Sequence, residues 1–381
     1  MNSKGISLLL VATLAISANV YGAAAPEKIY SKGSILIEKD SKRILYEKNG
    51  QEPLPMASTT KIMTCIVALE NANLDDIVTV SNLAAKAPKV KLGLHQGEKQ
   101  RLGDLLYSLM LESHNDTAVA IAEHVGGSVE VFCQMMTEKA KEIGAEGANF
   151  ETPNGLDGPN HHASAYDMAI IAAYAIDNPK FIEITNTPNI HIPTQEVEGS
   201  KPHDLQNKNR FLSSYEGAIG IKTGFTSKAG HCFVGAVDKE NMQLVGVALG
   251  AGWDSNGKSR KYTDVIKLMN YGFNNYDKYK VLDEEDCSKQ VAVEKGKEEV
   301  VQLYGNEKII LPLTKEEVEK VQLKVTLPET IVAPVEEGQV VGRIDVVCDN
   351  VLLGSSELMA TKAIDKATWL DLVKRYFRDK F

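Results

Sequence analysis

The spacing of apolar and polar residues changes period several times along the chain, and each change marks an element. Ser34-Ile35-Leu36-Ile37-Glu38, the polar turn Lys39-Asp40-Ser41-Lys42 and Arg43-Ile44-Leu45-Tyr46 read as a β-hairpin of two edge strands. After a connection containing Pro53 and Pro55, an apolar run from Ile62 to Glu70 has helical length and no Gly or Pro. It predicts a buried helix that begins near Ser58. Leu102, Leu105, Leu106, Leu109 and Met110 repeat at helical spacing between Arg101 and Glu112. That helix breaks at Ser113-His114-Asn115-Asp116, and a second runs through Ala118, Ile121, Ala122 and Val125 to Gly126-Gly127. Helix signals return from Ser164 to Ile176. Gly217–Gly224, Gly230–Val237 and Met242–Leu249 read as strands, closed by a helix from about Arg260 to Tyr271.

Past Val281 the texture changes. Val321, Leu323, Val325 and Leu327 alternate strictly, and Pro334 to Gly342 adds turns and strands, so residues 280–360 read as a small all-β domain. In residues 361–381, Trp369, Leu372, Val373, Tyr376 and Phe377 recur at helical spacing, with Asp371, Lys374, Arg375 and Arg378 on the other side. A basic amphipathic helix with aromatics suits a membrane interface. At the other end, Lys4 precedes an apolar stretch, Ile6 to Ile16, and small residues through Val20 to Ala24. Residues 1–23 therefore read as a secretory signal peptide, which places the mature protein outside the cytoplasm. Residues 24–279 form the expected main domain. Strands mixed with helices in no repeating βαβ order make it α+β.

Composition narrows the function. The chain has 381 residues, 43% of them hydrophobic, and a net charge of −9. That balance, with no basic stripe carrying interleaved aromatics, argues against nucleic acid as a partner. Cys65, Cys133, Cys232, Cys287 and Cys348 are scattered without zinc spacing. Cys287 and Cys348 fall in the same late region, and a pairing between them stays open. His161 and His162 are adjacent, point in different directions and lack a spaced third ligand, so no metal site is expected.

The chemistry rests on three short patterns. Ser58 and Lys61 stand three residues apart, on one face of a helix that begins nearby. A hydroxyl at a helix N-terminus beside a lysine desolvated by apolar neighbours can form a serine nucleophile without histidine. Taken alone, the pair also fits an N-cap and a solvated lysine. Ser113-x-Asn115 sits at a helix-to-helix junction, and Lys222-Thr223-Gly224 ends a strand. Each is weak by itself, but the three in this order are the serine, Ser-x-Asn and Lys-Thr-Gly elements of penicillin-interacting serine enzymes.

The chain resembles the low-molecular-mass D-alanyl-D-alanine carboxypeptidases, the peptidase S11 family of penicillin-binding proteins. Longer phrases carry the likeness as well: Met56 to Thr64, Leu111 to Ala118, Pro153 to Asp157, Ala165 to Ala169 and Gly220 to Gly224. The resemblance implies a serine β-lactamase/transpeptidase-like fold, with an antiparallel sheet, helices on both sides and a helical subdomain. It also implies a second β-domain that carries no chemistry. By position, Ser58 would attack the peptide carbonyl between two terminal D-alanines, Lys61 would take its proton, and Ser113 would relay a proton to the leaving group. Asn115 would hold the substrate amide and Lys61. Lys222 and Thr223 would bind the terminal carboxylate, aided by Arg260 or Lys261, and Gly224 would let the substrate lie along the strand. The oxyanion hole would be the backbone N–H groups of Ser58 and Phe225.

Peptidoglycan pentapeptide stems, β-lactams as acylating inhibitors and the membrane surface are the implied partners, with no metal or cofactor. The implied location is the outer face of the cytoplasmic membrane. One departure is His114, where many relatives carry glycine; it is expected to face out of the turn. A serine β-lactamase and a non-catalytic wall-binding protein of the same fold are the alternatives. The extra domain, the basic tail and the lack of a clear deacylating glutamate argue against the first. The intact Ser58, Lys61, Ser113 and Lys222 argue against the second.

Overall fold

The structure, a computed structural model, describes residues 25–194, 200–283, 289–371 and 373. It divides into two compact units. The first covers residues 25–281 with 310–313; the second holds the described residues from 282 onward, apart from that short insertion.

The first unit is built on a five-stranded antiparallel sheet of β1 (Gly33–Glu38), β2 (Ile44–Lys48), β3 (Ala218–Thr226), β4 (Gly230–Lys239) and β5 (Met242–Leu249). Its order is β2-β1-β5-β4-β3. The expected hairpin forms, yet β1 is an interior strand, because its second edge pairs with β5 from Gly33↔Leu249 to Glu38↔Leu244. All six β1 residues are buried, which is how a strand covered on both faces reads. Ile35, Ile37, Val245 and Val247 face one core, shared with α1 (Lys61–Asn71) and α4 (Ala165–Ala175). On the other face, Leu36, Gly246 and Leu244 meet Val265, Met269 and Gly272 of α5 (Gly257–Asn275).

Helix α1 is buried almost all round, from Lys61 to Ala68, so its apolar run is that of a central helix rather than a surface one. A 3-10 turn, Ala57–Thr60, precedes it, so Ser58 lies just before the α-helix. The expected helix over 101–112 is α-helical only from Leu102 to Tyr107 and continues as a π turn, Ser108–Glu112. Helix α2 (Asn115–Gly126) follows at once, and α3 (Val129–Glu142) is capped by Ser128. Ser164 and Asp167 form a reciprocal capping box that fixes the start of α4.

The second unit is a six-stranded sheet of β6 (Lys289–Glu294), β7 (Val300–Gly305), β8 (Gln322–Thr326), β9 (Thr330–Val332), β10 (Val340–Cys348) and β11 (Val351–Ala360). Its order is β8-β10-β11-β7-β6-β9. Val291, Val293, Val301, Leu303, Ile344, Val346 and Leu358 supply its core. The alternation over 321–327 does form a strand, but an edge strand exposed at every residue, including Leu323 and Val325. No helix among the described residues is long and apolar enough to cross a membrane. The signal peptide, residues 372 and 374–381 of the expected C-terminal helix and a Cys287–Cys348 pairing lie outside the described residues. Within the described part of that helix, 361–368 is not helical, with Ile364 bridged to Val335 and Lys366 to Gly296, and helix begins only at Trp369.

Candidate active site

The site lies where the turn before α1, the junction before α2 and the open edge strand β3 come together. Two close approaches require glycine. A Cβ on Gly224 would stand 2.8 Å from the Ser58 backbone nitrogen, and one on Gly155, at φ +82, would stand 2.0 Å from the Ala57 carbonyl oxygen. Lys-Thr-Gly therefore ends in glycine so that the strand can press against the backbone of Ser58. The turn itself is tight: Ala57 takes a left-handed φ of 50°.

Lys61 is fully buried, and its Nζ lies 3.1 Å from Ser58 Oγ and 2.9 Å from Asn115 Oδ1. It also bonds the main-chain oxygen of Asn154. Asn115 is held from behind: its Nδ2 donates to the carbonyls of Pro88 and Lys89 at 3.2 and 3.1 Å, and its N–H to that of Val90 at 2.8 Å. Both its amide hydrogens are thus engaged within the protein, which leaves Oδ1 as the atom turned to the site. Ser113 takes a left-handed backbone, φ 70° and ψ 31°, and its Oγ is buried with no hydrogen-bond partner among the described residues.

Three buried lysines, Lys61, Lys222 and Lys261, influence one another in series, and among the described residues none forms an ion pair with a carboxylate. Burial, then the charge of Lys222, pushes the Lys61 amine well below the ordinary lysine value, against the opposing charge of the buried Asp116. Burial, then Lys261, lowers Lys222 to about 7. Burial lowers Lys261 to about 8, with Lys258 and Arg210 contributing and the Cys232 thiol opposing. Arg260 is occupied elsewhere, 3.4 Å from Asp254 Oδ1 and stacked on Tyr30. Of the two candidate cations on α5, Lys261 is the one coupled to Lys222. Among the described residues, Lys222 Nζ reaches only the Thr223 carbonyl, at 3.3 Å. Phe225 is exposed on β3 and lies against the His231 ring.

The sequence model of the D-alanyl-D-alanine carboxypeptidases, peptidase S11, matches residues 20–252. The chain belongs to that family. The model of the penicillin-binding protein 5 C-terminal domain matches residues 276–366. The carboxypeptidase-family chain is 32% identical to D-alanyl-D-alanine carboxypeptidase DacF of Bacillus subtilis over 92% of its length and 90% of the relative's. Penicillin binding protein 5 of Haemophilus influenzae, 28% identical, superposes with a TM-score of 0.78 over 90% of this chain and all of that one. The peptidoglycan synthesis regulatory factor PBP3 of Streptococcus pneumoniae, 27% identical, superposes with a TM-score of 0.68 over 89% of this chain and 100% of its own.

Sequence reasoning counted Pro153 to Asp157 among the phrases of the likeness but gave the 151–161 loop no part in the site. Asn154 brings its main-chain oxygen to Lys61 and lies 3.4 Å from Ser58 Oγ. The loop is fastened by Thr64 Oγ1 on the Pro153 carbonyl at 2.6 Å, by Thr60 Oγ1 against His161 Nε2 at 2.9 Å, and by Thr226 Oγ1 on Asp157 at 2.9 Å. His161 accepts the Glu151 N–H at its other ring nitrogen, and burial lowers its pKa to about 4. It is a neutral tie between the loop and the turn that carries Ser58. The one available signal was Pro-Asn-Gly between two runs, which marks a turn but not a carbonyl aimed at a lysine. His114 also departs from expectation. It does not face out of its turn but is 5% exposed, with Nδ1 2.9 Å from Ser108 Oγ.

Proposed function

We propose that this chain removes the terminal D-alanine from peptidoglycan pentapeptides through an acyl-enzyme on Ser58. One observation carries the proposal: a buried, desolvated lysine lies 3.1 Å from a serine hydroxyl, near further buried lysines that pair with no carboxylate among the described residues. A neutral amine has two hydrogens and one lone pair. In Lys61 the hydrogens serve Asn115 Oδ1 and the Asn154 carbonyl, which leaves the lone pair for the Ser58 hydroxyl proton. The neutral form is the one burial favours.

Ser58 Oγ then adds to the scissile carbonyl. The developing oxyanion takes the backbone N–H groups of Ser58 and Phe225, donors worth roughly 3–4 kcal/mol when one is lost. As the tetrahedral species collapses, the C–N bond breaks and the departing D-alanine nitrogen takes a proton from Lys61 by way of Ser113. Water then attacks the ester, and Ser58 leaves with its proton restored. Lys222, Thr223 and Lys261 bind the substrate's terminal carboxylate, which supplies the anion those buried cations lack. A β-lactam follows the acylation steps and stops at the ester, which makes the enzyme penicillin-sensitive.

The work lies outside the cytoplasm, at the cell wall, after removal of residues 1–23. The basic amphipathic tail, residues 361–381, holds the enzyme at the membrane surface; there Trp369 is 75% exposed. The test is incubation with a D-Ala-D-Ala pentapeptide and, separately, with a fluorescent penicillin. D-alanine is released and label maps to the peptide containing Ser58, and Ser58→Ala loses both. Release that persists in Ser58→Ala removes that residue from the role.

A further inference from the structure

The turn that carries Ser113 and Asn115 is secured unevenly. Asn115 has three bonds to the carbonyls of residues 88–90. Ser113 has a left-handed backbone unfavourable for a residue with a Cβ, and its hydroxyl bonds to nothing among the described residues. Something other than its own side chain has to hold it in place.

The residue between them does so. The His114 side chain turns inward, with Nδ1 2.9 Å from Ser108 Oγ, and that oxygen lies 2.9 Å from Thr117 Oγ1. Ser108 opens the π turn and Thr117 is in the first turn of α2, so one imidazole ties together the elements before and after Ser113. Its Nε2 stands 3.6 Å from Glu112 Oε2. The other oxygen of Glu112 accepts the Gln206 N–H at 2.8 Å, which extends the tie to the strand His203–Gln206.

We infer that His114 is a positioning residue for Ser113: its neutral ring accepts from Ser108 at Nδ1, directs Nε2–H toward Glu112, and so holds the left-handed turn that presents the Ser113 hydroxyl to the acylation site. This rests on the reading of Ser113 as the proton relay. The groups whose charge reaches the ring are Asp116 and Glu112, which favour the imidazolium, and Lys61 and Lys222, which oppose it; burial outweighs them and lowers the pKa.

The experiment is stopped-flow acylation by a fluorescent penicillin, which separates initial binding from the acylation rate constant. His114→Ala lowers the rate constant about 10- to 100-fold and leaves initial binding within about twofold, the mark of a misplaced reacting group. His114→Asn, whose amide can still meet Ser108, recovers most of the rate, and His114→Gln does not. In a Ser113→Ala background, His114→Ala costs no more than about twofold, because residues acting as one unit are non-additive. Wild-type acylation in His114→Ala, or an undiminished loss in the Ser113→Ala background, overturns the inference. Should His114→Ala fail to fold, an Asn variant no faster than the Gln variant overturns it instead. Release of D-alanine by the unaltered chain is measured in parallel. Its failure counts against the peptidase reading while the acylation comparison stands.

Discussion

In the first unit, Lys61, Lys222 and Lys261 are 0, 3 and 6% exposed. Lys61 meets an amide oxygen and a main-chain carbonyl, Lys222 a main-chain carbonyl, and none of the three pairs with a carboxylate among the described residues. In the second unit, the lysines take the ordinary arrangement. Lys320 is at the surface between Glu316 and Asp349, Lys297 pairs with Asp365, and Lys362 with Glu298. Its buried polar residues among those described are Thr314 and Glu317, which cap a helix, and Ser356 of β11, which accepts the Glu307 N–H and donates to Asn306 Oδ1. Burying an uncompensated amine costs free energy, and nothing in the folding of an α+β domain requires three of them in one place. The second unit shows what this sequence does with lysine where only stability matters. The first shows a site that keeps its cost for chemistry.

The comparison breaks most directly at Lys61. Replacing it with Met removes the proposed base and a desolvated amine together. D-alanine release and penicillin acylation are expected to fall at least about 10³-fold, while the melting temperature rises. The opposite signs are the point, since a residue that is costly to bury and needed for activity trades one for the other. A variant that loses activity and stability together would place Lys61 with the second unit's structural polar groups.

Lys222 and Lys261 sharpen it through pH. Lys222 titrates near 7 and Lys261 near 8 in the folded protein, below the ordinary lysine value of 10.5. Between those values the unfolded chain holds protons that the native state has released, so stability rises with pH from about 7 upward, and a Lys222→Met variant shows a flatter rise. The cation that binds a carboxylate is lost over the same range, so KM climbs on the alkaline side. Lys261→Ala is expected to lower kcat/KM about 10-fold or more and Arg260→Ala to change it less than about twofold, since only a buried cation gains strongly from an anion. Equal effects of the two substitutions would leave the choice between them open again.

These residues were legible to different depths. Ser58 and Lys61 were readable because a three-residue spacing on a helix fixes their proximity in advance. Ser113-x-Asn115 and Lys222-Thr223-Gly224 gained meaning from their order, though not the reason Gly224 must be glycine, which is a contact with Ser58 backbone distant in sequence. The Asn154 carbonyl had no signal, because every residue has one and only the tertiary path aims it. His114 was read as facing out of its turn. The π turn from Ser108 resets the phase before the junction and delivers the ring inward. β1 was read as an edge strand because a hairpin shows one partner and is silent about a second; β5 arrives some two hundred residues later. In the second unit, alternation at Leu323 and Val325 predicted a strand but not its burial, since nothing packs on that edge.

A smaller effect tests the loop that sequence reasoning left out of the site. Thr60→Val keeps the shape of the side chain and removes the partner of His161 Nε2. An unsatisfied buried nitrogen costs about 1–3 kcal/mol, read as a lower denaturation midpoint. Because the 151–161 loop also places the Asn154 carbonyl on Lys61, the acylation rate is expected to fall with it. Loss of stability with an unchanged rate would confine the tie to folding.

The smallest effect belongs to the second unit and supplies the control. Thr314 accepts the Glu317 N–H at 3.2 Å while Glu317 accepts the Thr314 N–H at 2.9 Å, a reciprocal cap on the six-residue helix Lys315–Lys320. Thr314→Ala removes one half of it and should cost about 1 kcal/mol. A helix that short depends heavily on its ends, so the loss appears in urea unfolding followed in the full chain. D-alanine release and penicillin acylation should be unchanged, because this unit holds no buried cation among its described residues. Were acylation to fall as far in Thr314→Ala as in Thr60→Val, the division of labour between the two units would fail, and the second unit would have to be counted among the parts that hold Ser58 and Lys61 in place.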